Sequence, residues 1–147
     1  MTRKNFSLQT VLDLREKAKD KASEIYAAAV RDRDLAAARV AEAIARLEEL
    51  TRMISGERFP AWVREQGWNA LNAQRDLLRT LQNRLAQEEQ KVNAKRDILI
   101  AADRDYQLVL KLREKWLAKI QIEAARADEK QLEDFVTATR FLQTAIP

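Results

Sequence analysis

The sequence contains no cysteine and no histidine, only two glycines and two prolines, and aromatic residues at just 6% of its 147 positions. Without cysteine there is no disulfide framework, no thiolate metal site and no cysteine nucleophile, and the chain is compatible with a reducing compartment. Without histidine the commonest metal ligand and the commonest general base at neutral pH are both missing. With few aromatics and 34% of residues charged, a chain of this length is poorly suited to one compact globular core. No stretch approaches the ~20 apolar residues that a membrane helix needs. The opening "MTRKNFSLQ" has basic residues but no apolar run after them, so a soluble, unprocessed chain is expected.

What is present is Ala, Leu, Arg, Glu, Lys and Gln in excess, the bias of long helices and coiled coils. The few helix breakers are gathered in one place: Gly56 and Pro60 lie within "SGERFPAW", and Gly67 follows shortly after. One reversal between two helices is therefore expected. Helix one is expected over about 7–54, with Ser7 as its cap and Phe6 stapled to Val11. Its apolar residues recur at Val11, Ala18, Ala22, Ile25, Ala29, Ala36, Val40, Ala43, Leu47, Leu50 and Ile54, interrupted at Asp32 and Arg33, and Gly56 is suited to end it in a left-handed conformation.

After a turn over about 55–60, helix two is expected over about 61–143, opened by the fixed φ of Pro60 and with Gly67 as a kink or delay until about Asn69. A seven-residue count from Leu71 places Leu78, Leu85, Val92, Leu99, Tyr106, Arg113 and Ile120 at one core position. Gln74, Leu81, Glu88, Lys95, Ala102, Val109, Trp116 and Glu123 fall at the other. The fold expected is all-α, a single domain built as a long antiparallel two-helix coiled-coil hairpin whose second helix is longer than the first. With the reversal centred near Glu57, Leu8 falls beside Tyr106 to Leu108, and Ala36 near Arg79. Roughly the last forty residues of a continuous second helix then have no intrachain mate, although the polar stretch "ARADEKQLED" is equally consistent with a bend or fraying after residue 125. The overhang carries Trp116, Leu117, Ile120, Ile122, Leu132, Phe135, Val136, Phe141 and Leu142, and exposed apolar residues along a helix mark a partner site.

Other function classes find little support. The net charge of +4 could suit nucleic acid, but acids are interleaved with the bases and no basic stripe with stacking aromatics is visible. Acid pairs a helical turn apart, such as Glu129 and Glu133, have no pocket on a solvated rod to shift them into catalytic use. Two isolated glycines do not make a phosphate-binding loop. No enzyme activity, metal or cofactor is expected.

"FSLQTVLDLREKAKDKA", Phe6 to Ala22, resembles the opening of the flagellar export protein FliJ family, with its aromatic-x-Leu-Gln-x-Val-Leu-x-Leu-Arg-Glu pattern and following charged, alanine-containing run. "LVLKLREKWLAKIQIEAARADEKQLEDF" is similar to the family's far end, which closes in Asp-Glu-Phe; here Glu133, Asp134 and Phe135 stand with the two acids reversed. The resemblance implies a non-enzymatic part of the type III export apparatus, similar to the central stalk of rotary ATPases. It implies binding to the export ATPase hexamer and to the cytoplasmic domain of the export gate, with export chaperones as further partners and a location peripheral to the inner membrane. On that reading the open end meets the ATPase ring through Arg113, Lys115, Lys119, Arg126, Lys130 and Arg140, with Trp116, Ile120 and Phe135 as apolar anchors. The turn end meets the gate through Leu47, Leu50, Ile54, Phe59, Trp62, Trp68 and Leu71, of which Leu47, Leu50, Ile54 and Leu71 also fit the seam. The stalk proteins of virulence secretion systems share the plan, and a generic coiled-coil scaffold or adaptor is the remaining alternative. A stalk is expected to be monomeric when dilute and a scaffold to be a stable dimer.

Overall fold

The computed structural model describes residues 5–56 and 59–145. Among them are two helices and no strand: α1, Gln9–Gly56, and α2, Ala61–Ala145. The second helix is the longer by far, as expected. The chain falls into two compact units, one joining Met1–Glu16 to Asp103–Pro147 and the other formed by Lys17–Ala102.

The start of α1 differs from the reading of the sequence. The Gln9 N–H donates to the Phe6 carbonyl at 3.0 Å and the Leu12 N–H to the Leu8 carbonyl at 2.8 Å. The helix therefore starts at Gln9, and Ser7 lies in the turn that precedes it. Phe6 does not staple Val11. It is buried against Trp116, with ring centroids 5.5 Å apart and the planes tilted by 45°, while Val11 stays exposed. An aromatic contact across the hairpin covers more apolar area than a local staple, which is why it wins. At the other end α1 runs through Gly56, and no glycine among the described residues has a positive φ. Glu57, where the reversal was expected to centre, and Arg58 lie outside the described residues.

Pro60 acts at the start of α2 as its sequence position suggests. Its carbonyl accepts from the N–H groups of Val63 and Arg64 at 3.1 Å each, and the Arg64 Nε donates to the Phe59 carbonyl at 3.0 Å. A residue before proline is disfavoured in the helical region, so α2 cannot begin earlier. Gly67 neither delays nor interrupts α2. Its value is close approach: a Cβ built there would stand 3.1 Å from Ile54 Cγ1 and 3.3 Å from Ile54 Cδ1. The missing side chain lets α1 and α2 touch just after the turn.

In the unit Lys17–Ala102 the helices are antiparallel. Asp32, Ala36 and Arg39 share one groove with Leu81, Arg84 and Glu88, while Arg39, Ala43 and Arg46 share the next with Gln74 and Leu77. Ala36 therefore faces Arg84 rather than Arg79. In the unit of the chain ends, Arg15 pairs with Asp105 at 3.3 Å and Phe6 with Trp116. Leu8 therefore does not lie beside Tyr106 to Leu108; the register is displaced by roughly six residues, between one and two helical turns. The cause is the turn. With α1 extended to Gly56 and α2 starting at Ala61 as expected, the point of reversal sits between Ile54 and Gly67 near Pro60, not at Glu57.

The seam on α2 follows the seven-residue count. Leu71, Glu88 and Val92 are buried, and Gln74, Leu78, Leu81, Leu85, Lys95, Leu99 and Ala102 are half-buried. In the other unit Tyr106, Val109, Arg113, Trp116 and Ile120 continue at the same positions, and Glu123 is exposed. On α1 the seam steps back from Ile54 in alternating fours and threes through Leu50, Leu47, Ala43, Val40, Ala36, Arg33, Ala29, Tyr26, Ala22 and Lys19, all buried or half-buried, then passes the exposed Arg15 to the buried Leu12. Arg33 thus belongs to the seam rather than interrupting it. Val11, Ala18 and Ile25, assigned to the seam from their hydrophobicity, lie one residue out of frame and are exposed. A supercoiled helix pair keeps its contact line at a constant period, so the frame set by the strong layers near the turn overrides the polarity of single residues further away.

Glu88 is the buried charged residue of this seam, with a side chain 4% exposed. Its Oε1 takes Arg84 Nε at 3.0 Å and Lys91 Nζ at 3.5 Å, both from its own helix. Gln74 Nε2 and Arg113 Nε are buried without a hydrogen-bond partner.

Candidate functional site

Single apolar side chains are exposed along both helices, and two regions gather several of them. The first is the end of α2. Every described residue from Gln121 to Ala145 is exposed, and the helix is continuous throughout. The fully exposed stretch therefore begins near Gln121 and not near residue 108, and it neither bends back nor frays at "ARADEKQLED". The later start follows from the register, which carries the seam as far as Trp116 and Ile120. The positions that would continue the seven-residue count are Glu123, Ala127, Lys130 and Asp134, all exposed.

The large apolar residues beyond Ile120 lie elsewhere on the helix. On the same count, Leu132, Phe135, Leu142, Val136 and Ile122 occupy the three positions opposite the seam, and only Phe141 falls on the seam line. Phe135 is 69% exposed and Leu142 is 65% exposed. This outward stripe is a surface in its own right rather than a leftover of the intrachain packing.

The residues expected at the open end separate into two groups. Arg113, Trp116 and Ile120 are half-buried in the seam, where Trp116 supports Phe6. Lys115, Lys119, Arg126, Lys130, Phe135 and Arg140 are exposed. Leu132, Val136 and Leu142, seen in the sequence as part of the overhang but not singled out as anchors, share the outward stripe with Phe135. Their seven-residue spacing, Phe135 to Leu142, was the available signal.

The second region is the turn end of the unit Lys17–Ala102. Leu71 is buried, and Leu47, Leu50 and Ile54 are half-buried in the seam. Phe59 is half-buried and, with Leu50, Met53, Ile54, Val63 and Gly67, lines an apolar groove between the two helices. Trp62 and Trp68 lie near it on the surface of α2, 65% and 51% exposed. Met53 and Val63 were not anticipated. They enter because Gly67 draws the helices together while Pro60 turns the chain beside them.

Among the described residues no group of three acidic side chains is placed to hold a metal ion, and no helix is long and apolar enough to cross a membrane. A long helical hairpin with one uncovered groove at its turn and one uncovered stripe on its unpaired helix defines a coiled-coil interaction element. A family model described as the flagellar FliJ protein matches residues 4–143. The chain belongs to that family, which ties it to the flagellar type III protein export apparatus. No curated protein and no solved structure matches it.

Proposed function

We infer that this chain is a non-enzymatic stalk of the flagellar export apparatus, working in the cytoplasm and peripherally at the inner membrane. Its partners on this reading are the export ATPase hexamer and the cytoplasmic domain of the export gate, and it couples ATP hydrolysis to substrate delivery. The observation that carries the reading is the pairing of family membership with an antiparallel hairpin whose second helix runs on, exposed at every described residue, from Gln121 to Ala145. A rod that must touch a ring at one end and a gate at the other needs exposed anchors at separated places along the chain, and both regions described above supply them. The unpaired end is assigned to the ATPase ring. Lys115, Lys119, Arg126, Lys130 and Arg140 are its polar contacts and Phe135 its central anchor, with Arg113, Trp116 and Ile120 at its base. The turn end is assigned to the gate, with Trp62, Trp68 and Phe59 as anchors over a base of Leu47, Leu50, Ile54 and Leu71. Export chaperones are further candidate partners of the exposed stripe.

The test is ATP hydrolysis by the ATPase of the same export system, measured with and without the full chain. Phe135→Ala and Leu142→Ala are suited to it because both side chains are exposed, whereas Trp116→Ala also removes the support of Phe6. Stimulation by the wild type that falls severalfold in both variants supports the stalk assignment. No stimulation at concentrations where the ATPase is hexameric would return the chain to the class of coiled-coil adaptors.

A further inference from the structure

The outward stripe at the end of α2 carries acids but no bases. Between Gln121 and Ala145 there are five acids (Glu123, Asp128, Glu129, Glu133 and Asp134) and three bases (Arg126, Lys130 and Arg140), a net charge of −2 within a chain of +4. Position matters more than the total. Asp128 and Glu129 fall on the three helix positions opposite the seam, between Ile122 and Leu132, in line with Phe135 and Val136. Arg126 and Arg140 lie on one flank of the helix and Lys130 on the seam line. Among the described residues neither Asp128 nor Glu129 takes part in an ion pair.

A surface that covers this stripe must therefore cover two carboxylates along with the apolar anchors. Desolvating a carboxylate without a cation or donor is costly, so a neutral apolar groove is a poor occupant. A second copy of the same stripe is worse, because it brings acids to acids. A surface that places Lys or Arg side chains between its apolar contacts converts the cost into charge-assisted hydrogen bonds.

We propose that the outward stripe of residues 122–142 docks onto a basic amphipathic partner surface, a helix or groove whose Lys or Arg side chains meet Asp128 and Glu129 while its apolar residues cover Leu132, Phe135 and Val136. The proposal deepens, and rests on, the reading of this end as the partner-binding end. It differs from that reading in polarity: the carboxylates of the stripe, not Arg126, Lys130 and Arg140, select the partner.

The test uses the full chain and two labelled helical peptides with the same leucine spacing, one flanked by lysine and the other by glutamate, followed by fluorescence anisotropy. The lysine peptide is expected to bind, with the glutamate peptide weaker by about tenfold or more, the scale of a close charge reversal at an interface. The double variant Asp128→Lys with Glu129→Lys should invert the preference, Leu132→Ser with Phe135→Ala should weaken both peptides, and Arg126→Glu with Lys130→Glu should leave the preference in place. Failure of the lysine peptide to bind, or equal binding by the double-lysine variant, overturns the proposal. So does self-association of the chain that is abolished by Phe135→Ala, since it would put a second copy on the stripe. A second arm measures ATPase stimulation. Loss of stimulation with the double-lysine variant, with retention in Lys17→Glu, Lys21→Glu at exposed positions of α1, supports the proposal, and retention by the double-lysine variant overturns it. If the ATPase responds to no form of the chain while the peptide preference and its inversion hold, the assignment to the ATPase ring falls and the docking proposal stands.

Discussion

Leu12 and Leu14 are two residues apart in α1, and they offer a comparison in which the chemistry of the substitution is identical and only the seam differs. Leu12 is 3% exposed and Leu14 is 61% exposed. Replacing leucine by alanine removes three carbons, worth about 0.8 kcal/mol each when fully buried, so Leu12→Ala should cost about 2.4 kcal/mol before any cavity contribution. A thin helical hairpin lets solvent reach a truncated site, which keeps the cavity contribution small and the total near the low end of the usual range of roughly 2–5 kcal/mol. At Leu14 less than half of that surface is lost from contact, and alanine is the better helix former, so the net cost should be about 0.5 kcal/mol. The measurement is urea unfolding followed by far-ultraviolet circular dichroism, with hydrogen exchange read separately over 9–16 and 103–120. Reading the two segments separately matters because these residues form a unit of their own and the transition need not be two-state. Loss of protection should be confined to that unit in Leu12→Ala and absent in Leu14→Ala. Equal losses, or a larger loss at Leu14, would refute the seam frame that places Leu12, and not Val11, against α2.

Two further outcomes follow from the packing. Gly67→Ala should be stabilising by about 0.5 kcal/mol, because alanine gains roughly 1 kcal/mol of helix propensity and the half-exposed Ile54 has an open groove into which to move a few tenths of an ångström. Gly67→Leu should instead lose about 1–3 kcal/mol by forcing the helices apart beside the turn, and thermal unfolding of the pair of variants checks the sign of each. Glu88→Leu should be neutral or stabilising by about 1 kcal/mol, since it exchanges a buried carboxylate, held only by exposed Arg84 and Lys91, for a seam leucine. A marked loss of stability in urea unfolding of that variant would show that Glu88 contributes more than its desolvation costs.

The second helix was largely readable from the chain. Its seam, Leu71 to Ile120, follows a period that survives polar occupants such as Gln74, Glu88, Lys95 and Arg113, because a regular contact line needs only enough strong layers to hold it. The first helix was readable near the turn, from Ala29 to Ile54, and misframed towards its start. There Val11, Ala18 and Ile25 are as apolar as true seam residues, and nothing in a single sequence says which of two adjacent stripes meets the partner. The register was missed for a related reason. It depends on the ends of two helices at the turn, and helix ends depend on backbone hydrogen bonds such as those to the Pro60 carbonyl rather than on hydrophobic pattern. The candidate sites were legible as inventories of exposed anchors. The stripe of Phe135 and Leu142 stands opposite the seam, and that relation becomes visible only when the seam frame is known.

By itself the sequence determined that this protein is helical, that it reverses once where its helix breakers gather, and that its second helix outlasts the first. These are properties of composition and period, which local backbone preference and hydrophobic spacing settle without knowledge of the partner helix. The tertiary structure decided which residues of α1 face α2, that Phe6 rests on Trp116, that Gly67 admits Ile54, and where α2 becomes free. Those are relations between distant segments. They depend on register, and register is chosen by the sum of contacts across both helices rather than by any stretch of the chain alone.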